Sequence, residues 1–282
     1  MLVVKEKQST WMEQACYLFK RATGIGVYPD FLILGGQKCG TTSLFGALIQ
    51  HPDIVRPRKK EPNYFSYRHA RRTAWYRANF PSFPVKAAYR LLGRRFQTFE
   101  ASTNYLFHPR APERAHAQLP DAKLIALLRE PAARAFSHFK MNVREGIETL
   151  GFEEAIARED ERMANEREKL GADYCDGLPF RRFSYKTRGL YVDQLAAWTR
   201  FYPRERLLVL QMETLMREPQ ATLDRVMDFL ELPRWTGFEL KSENVGGYKE
   251  RMSDATREQL LAYFRPHNER LWQWLGERWD WD

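Results

Sequence analysis

Hydrophobic positions along the chain fall into short continuous runs separated by longer stretches with helical spacing. Four runs read as strands: FLILG at 31–35, FQTFEAST at 96–103, KLIALLRE at 123–130 and LLVLQME at 207–213. FLILG and KLIALL are apolar at nearly every position instead of alternating, the pattern of parallel strands buried on both faces. TSLFGALIQ at 42–50 changes period and sets Leu44, Leu48 and Ile49 on one side of a helix, which His51, Pro52 and Asp53 stop. Pro131 suits the first turn of another helix. Further helices are predicted over 190–202, 219–231 and 254–275, and an amphipathic lead-in over 9–22 ends at Gly24, Gly26 and Pro29. Strands alternating with helices define an α/β three-layer fold, with a central, mainly parallel sheet flanked by helices. Ligands of such folds sit beyond the carboxyl ends of the strands. Gly35, Arg129 and Glu213 fall at those ends.

The 282 residues suit a single domain over 1–282, with 1–28 as its N-terminal lead-in. Residues 144–188 break the strand–helix rhythm. There the charged FEEAIAREDERMANEREKL and the basic, loop-like DGLPFRRFSYKTRG predict a helical and loop insertion near the substrate cleft. The formal net charge of +9 is uneven: 52–95 holds twelve Lys/Arg and two Asp/Glu, and the remainder is about neutral. Such a zone implies an anionic ligand nearby or a solvated basic face. It is the only feature that would support a nucleic-acid partner, and none is expected. Three cysteines, with no CxxC and no Cys/His cluster, predict neither a disulfide framework nor a metal site. No apolar run is long enough to span a membrane and the first residues lack a signal-peptide pattern, so a cytoplasmic protein of bacterial layout is expected.

GGQKCGTTSL at 35–44 joins the first strand to its helix. Gly35 and Gly40 have the separation of the ATP- and GTP-binding P-loop. Thr41 stands where that loop has its lysine, and Lys38 comes two residues before Gly40. Backbone N–H groups of 36–43 at a helix start make an anion cradle, and Thr41, Thr42 and Ser43 add hydroxyls. None of the apolar strand runs ends in the aspartate that would hold magnesium, which implies nucleotide chemistry without a metal. In LLREPAARAFSHF, Arg129 ends a buried strand and Ser137 lies about two turns along the following helix. The pair suits a second phosphate remote from the first.

Together these features resemble the sulfotransferases that use 3′-phosphoadenosine 5′-phosphosulfate (PAPS). FLILGGQKCGTTSL, the Arg129–Ser137 element, KEPNYF (60–65), EASTNYL (100–106), RGLYVDQLAAWTRFYP (188–203) and NVGGYKERM with YFRPHNERL carry the likeness over most of 30–275. The nearest branch contains the heparan sulfate sulfotransferases and bacterial sulfotransferase domains. The resemblance implies a P-loop-type fold, PAPS as donor and 3′-phosphoadenosine 5′-phosphate (PAP) as product. It places the donor on the loop from Gly36, Gln37, Lys38 and Cys39 to Gly40, Thr41, Thr42 and Ser43. Lys38 bridges the 5′-phosphate and the sulfuryl group, and Arg129 and Ser137 hold the 3′-phosphate. Gly247, Tyr248 and Lys249 align with a late loop that closes over the nucleotide.

In-line transfer to an alcohol needs a base for the hydroxyl proton and a cation for the charge on the leaving phosphate. Lys38 fills the second role. The resemblance assigns the first to Glu61, followed by Tyr64 and Phe65, with Lys59 and Lys60 beside it to keep it ionised. Two departures fall near the acceptor: Asn63 stands where the heparan branch commonly has histidine, and Ala101 where it has lysine. His51, His108 and His138 are alternative bases, with His138, beside Ser137, reading more readily as structural. Basic groups around 56–95 and 181–188 favour an anionic acceptor, such as an acidic glycan or a carrier-bound acid, and aromatics at 64–83 are placed either to stack on sugars or to form core. A neutral sugar or small-molecule alcohol stays open as acceptor. The competing readings are an ATP-dependent P-loop phosphotransferase, opposed by the position of Lys38, and a non-catalytic nucleotide or sulfated-glycan binding module, opposed by the joint presence of Lys38 and Glu61.

Overall fold

The computed structural model describes residues 10–170, 175–240 and 251–281. Its strands are β1 (Phe31–Ile33), β2 (Phe99–Ala101), β3 (Lys123–Leu128) and β4 (Leu207–Gln211), in the order β2-β1-β3-β4. Every pairing is parallel, with Phe31 opposite Phe99 and Lys123, and Leu124 opposite Leu207. The helices are, in chain order, α1 (Trp11–Thr23), α2 (Thr41–Leu48), α3 (Thr73–Arg77), α4 (Phe83–Leu91), α5 (Ala111–Gln118) and α6 (Pro131–Arg144). There follow α7 (Phe152–Ala157), α8 (Glu159–Leu170), α9 (Leu178–Arg182), α10 (Tyr191–Thr199), α11 (Met212–Arg217), α12 (Pro219–Leu230) and α13 (Asp254–Leu275).

Alternate residues of one strand serve opposite faces, and both faces of this sheet are covered. Leu32, Leu124, Ala126 and Leu128 pack with Tyr191, Leu195 and Trp198 of α10 and Leu271 and Trp272 of α13. Phe31, Ile33, Ile125 and Leu127 pack on the other side with Leu44 and Leu48 of α2 and Leu223, Val226 and Leu230 of α12. Each such leucine, fully removed from water, contributes about 1.5–3 kcal/mol. This two-sided burial is why the strands read as apolar runs.

The runs overshoot the strands at their carboxyl ends. Leu34 still donates from its N–H to Ile125 O at 2.9 Å, but the chain then leaves the sheet as a loop. At the end of β4, Met212 and Glu213 open α11 instead of extending the strand. Glu213 accepts the N–H of Glu130 at 3.0 Å and so braces the neighbouring β3–α6 junction. Pro131 occupies the first turn of α6 as expected. Residues 144–188 carry the end of α6 and α7 to α9, and the buried Glu159 carboxylate ties them down by accepting the N–H groups of Lys186 and Thr187 at 2.6 and 2.9 Å.

Candidate active site

The loop after β1 is shaped by left-handed backbone. Gly35 has φ +77°, and a side chain there would also meet Thr103 Cα at 2.9 Å. Gly40 has φ +82° and starts α2 without any side-chain cap. The first N–H groups of α2 are therefore presented as an anion site. The start of α6 is different: Glu130 accepts the N–H groups of Ala132 and Ala133 at 2.6 and 2.7 Å and closes that end itself. Lys38 adopts φ +71° between the two glycines. Arg129 Nη1 donates to Lys38 O at 3.3 Å, so the end of β3 supports the turn that carries the lysine. Burial, then the neighbouring Arg144 and Arg129, lower the pKa of the Lys38 ammonium from its ordinary value. A bound anion would reverse that strain on the charge.

One cavity of about 970 Å³ unites this loop with the other candidate residues. Gln37, Lys38, Gly40, Thr41, Thr42, Ser43, Arg129 and Ser137 all line it, as does Glu61. Cys39 does not. Its side chain is buried, with Sγ 3.8 Å from the Tyr191 hydroxyl, which donates to Arg129 O at 2.8 Å. Burial pushes the thiol up to about 11. Cys39 thus anchors the loop to the core, and its N–H is taken within the loop, donating to Gly36 O at 3.1 Å. Gly36 also stays off the wall, and its N–H donates to Leu127 O at 2.9 Å. Gly247, Tyr248 and Lys249 lie outside the described residues.

Glu61 and Asn63 are held in a second left-handed turn, with φ of +58° and +55°. The Glu61 N–H donates to Ala101 O at 2.9 Å, and its Oε1 accepts from Lys60 Nζ at 2.9 Å and from Thr103 Oγ1 at 3.3 Å. Among the described residues the ion pair on this carboxylate is with Lys60, and Lys59 Nζ sits 5.6 Å from the Trp75 ring centroid. The Asn63 N–H donates to Ser102 Oγ at 3.1 Å, Ser102 donates to Glu100 Oε1 at 2.6 Å, and the Tyr76 hydroxyl donates to Glu100 Oε2 at 2.5 Å. A buried carboxylate in the middle of β2 therefore pins the turn that presents Glu61. Burial pushes Glu100 up to about 7. Four non-glycine residues among those described have positive φ, and three of them (Lys38, Glu61 and Asn63) face the cavity. Left-handed non-glycine backbone concentrates at functional sites.

Several expectations require correction. His51 is buried, accepts the Asp53 N–H at Nδ1 and meets Pro233 O through Nε2 at 3.0 Å, so it braces a turn. His108 is buried against Asp176, its pKa lowered to about 4 by burial. None of His51, His108 and His138 lines the cavity. His138 is fully buried against Tyr185, in keeping with a structural residue. Tyr64, Phe65, Tyr76 and Phe80 are core, with Tyr64 and Tyr76 stacked at 4.4 Å; Tyr67 is the aromatic of 64–83 that reaches the cavity. Of the basic residues in 52–95, Lys60 alone lines it. Arg181 and Arg182, from the basic 181–188 stretch, do line it, and the rest of its positive wall comes from Lys140, Arg144, Arg251 and Arg257, together with Lys38, Lys60 and Arg129. Glu61, Glu145 and Asp254 are the acidic residues set against these nine. Lys140 and Arg144 escaped notice because their significance depends on which face of α6 meets the loop.

A parallel α/β sheet with an anion-binding strand–helix turn and a basic cavity defines a nucleotide-dependent transferase of the P-loop-like class. The chain belongs to the sulfotransferase domain family, whose model matches residues 28–254. It is 31% identical to a sulfotransferase from Alicyclobacillus acidocaldarius, with a TM-score of 0.68 over 90% of this chain and 98% of that one. It is 28% identical to heparan sulfate glucosamine 3-O-sulfotransferase 6 of Mus musculus, over 90% of this chain and 74% of the relative. It is 29% identical to the Mus musculus 3-O-sulfotransferase 3B1, over 94% and 67%. The protein is a PAPS-dependent sulfotransferase, and the phosphotransferase reading is not favoured.

Proposed function

We propose that this enzyme transfers the sulfuryl group of PAPS to a hydroxyl of an acidic glycan, with Lys38 and Glu61 as catalytic residues. The observation that carries the reading is that both residues, each on strained left-handed backbone, face one strongly basic cavity. The open start of α2, with Thr41, Thr42 and Ser43, takes the 5′-phosphate, and Arg129 and Ser137 take the 3′-phosphate. Glu61 accepts the acceptor's proton as its oxygen forms a bond to sulfur. Lys38 stabilises the charge that builds on the departing phosphate oxygen as its bond to sulfur breaks, releasing PAP. Lys60 Nζ, 2.9 Å from Glu61 Oε1, holds the carboxylate in place.

The acceptor class follows from the balance of the wall, nine cationic residues against three acidic ones, with Lys60 paired to Glu61 and Arg182 to Glu145. Glycan-modifying relatives support the same class. Asn63 is held by Glu61 O, Ser102 and Asn104, and Ala101 offers only its carbonyl to the turn. The acceptor edge therefore differs from that of the heparan branch, and no ring position is carried over. Labelled-sulfate transfer from PAPS across acidic glycans, neutral sugars and small-molecule alcohols tests the proposal. Label on acidic glycans is expected; label confined to neutral acceptors would refute the acceptor class.

A further inference from the structure

The basic stretch 52–95 finds no use in the cavity apart from Lys60, and the structure places much of it beside exposed apolar surface. Of the twelve large apolar side chains exposed among the described residues, eight lie on α1 or between Phe83 and Leu92. Trp11 and Phe19 on α1 are 79% and 60% exposed, and Leu91 and Leu92 are 88% and 72% exposed. Neither α1 nor α4 buries a single residue. Yet both are amphipathic: on α1, Trp11, Met12, Leu18 and Phe19 recur at a heptad-like spacing on one side. α1 is well built, with Thr10 and Glu13 forming a reciprocal capping box and Gly24 a left-handed C-cap. An amphipathic helix that is capped yet buries nothing has its apolar stripe turned to an outside partner.

The two helices form one region. The Val27 N–H donates to Pro81 O at 2.8 Å and the Phe83 N–H to Ile25 O at 3.0 Å, joining the end of α1 to the start of α4. Lys20 Nζ donates to Phe80 O at 2.7 Å. The charge here is mainly basic, although Lys86 pairs with Asp30 at 3.6 Å and Arg94 with Asp53 at 3.4 Å. Residues 83–95 contain Lys86, Arg90, Arg94 and Arg95 and no acidic residue, and Lys20 and Arg21 close α1. Exposed Trp, Phe and Leu among Lys and Arg are the composition of a helix that lies in the headgroup region of an anionic bilayer. A polar protein partner would not need the leucines, and a purely apolar one would not need the charges.

We propose that α1 and α4 together form a docking surface for an anionic lipid membrane, on which the enzyme sits peripherally. The test uses the full chain and phosphatidylcholine vesicles with and without phosphatidylserine, at low and high salt. Sedimentation with the phosphatidylserine vesicles is expected, weakened about tenfold or more by high salt or by omission of the anionic lipid. The double variant Phe19→Glu with Leu92→Glu should weaken it about tenfold or more, and Arg21→Glu with Arg90→Glu should abolish the preference for anionic lipid. All four positions are exposed, so the melting temperature and PAP affinity of these variants should match wild type. Failure of the wild type to sediment, or equal sedimentation of the apolar double variant, would overturn the proposal. So would a wild-type dimer in light scattering that Phe19→Glu with Leu92→Glu converts to monomer without vesicle binding, which would assign the face to a second copy.

Discussion

The two sides of the cavity are built by different means. The side proposed for the donor is mostly backbone: a turn fixed by Gly35, Lys38 and Gly40, an uncapped helix start, and a strand-end arginine bonded to the turn's own carbonyl. The side proposed for the acceptor is mostly side chains from separate elements: Glu61, Asn63 and Thr103 near β2, and Arg181 and Arg182 from the end of α9. Backbone amides recognise a phosphate whatever is attached to it, whereas side chains can be exchanged one at a time without disturbing the fold. The donor should therefore be common to the family and the acceptor particular to the member. The exchanges at Asn63 and Ala101 fall on the acceptor side.

Variants that separate the two sides sharpen this contrast. Lys38→Ala should cause the largest loss, about 10³-fold or more in transfer rate, because it removes a cation placed for the transition state. Glu61→Gln should lower kcat by about 10²–10³-fold while PAP binding, followed by calorimetry, stays at the wild-type level. Full rate in that variant on a true acceptor would remove Glu61 from the base role. Arg129→Ala should weaken PAP binding by roughly 2 kcal/mol or more and leave adenosine 5′-phosphate binding much less affected. Equal losses for the two nucleotides would make Arg129 a support for the loop and not a reader of the 3′-phosphate.

The smallest effect on turnover is expected at Glu100, which acts on stability instead. Burial raises its pKa from 4.5 to about 7, so the folded state holds the proton more tightly than the unfolded chain. Stability should then fall as pH rises from about 4.5 through about 7, by about 3 kcal/mol, and level off above. Glu100→Gln should flatten that slope in urea titrations at stepped pH. An unchanged slope would mean that Glu100 is not the group responsible.

The same division explains what could be read from the sequence. The sheet and its covering helices were legible because burial on both faces leaves unbroken apolar runs, as in FLILG and KLIALL. Strand ends were less so, since Met212 and Glu213 continue an apolar run but already belong to α11. The strand–helix turn at 35–44 was legible because its spacing is local. The Glu100–Ser102–Asn63 chain was not, because it links β2 to a turn some forty residues earlier in sequence. The basic zone misled for the same reason: composition at 52–95 says nothing about which way α4 turns its charges.

The central claim is that the displaced lysine and Arg129 adapt a P-loop-like turn to a nucleotide carrying a 3′-phosphate. Calorimetric titration of the wild-type enzyme with PAP and with ATP tests it most directly. The account predicts that PAP binds at least about 30-fold more tightly, corresponding to the roughly 2 kcal/mol assigned to the 3′-phosphate contact. Equal or tighter binding of ATP would contradict it.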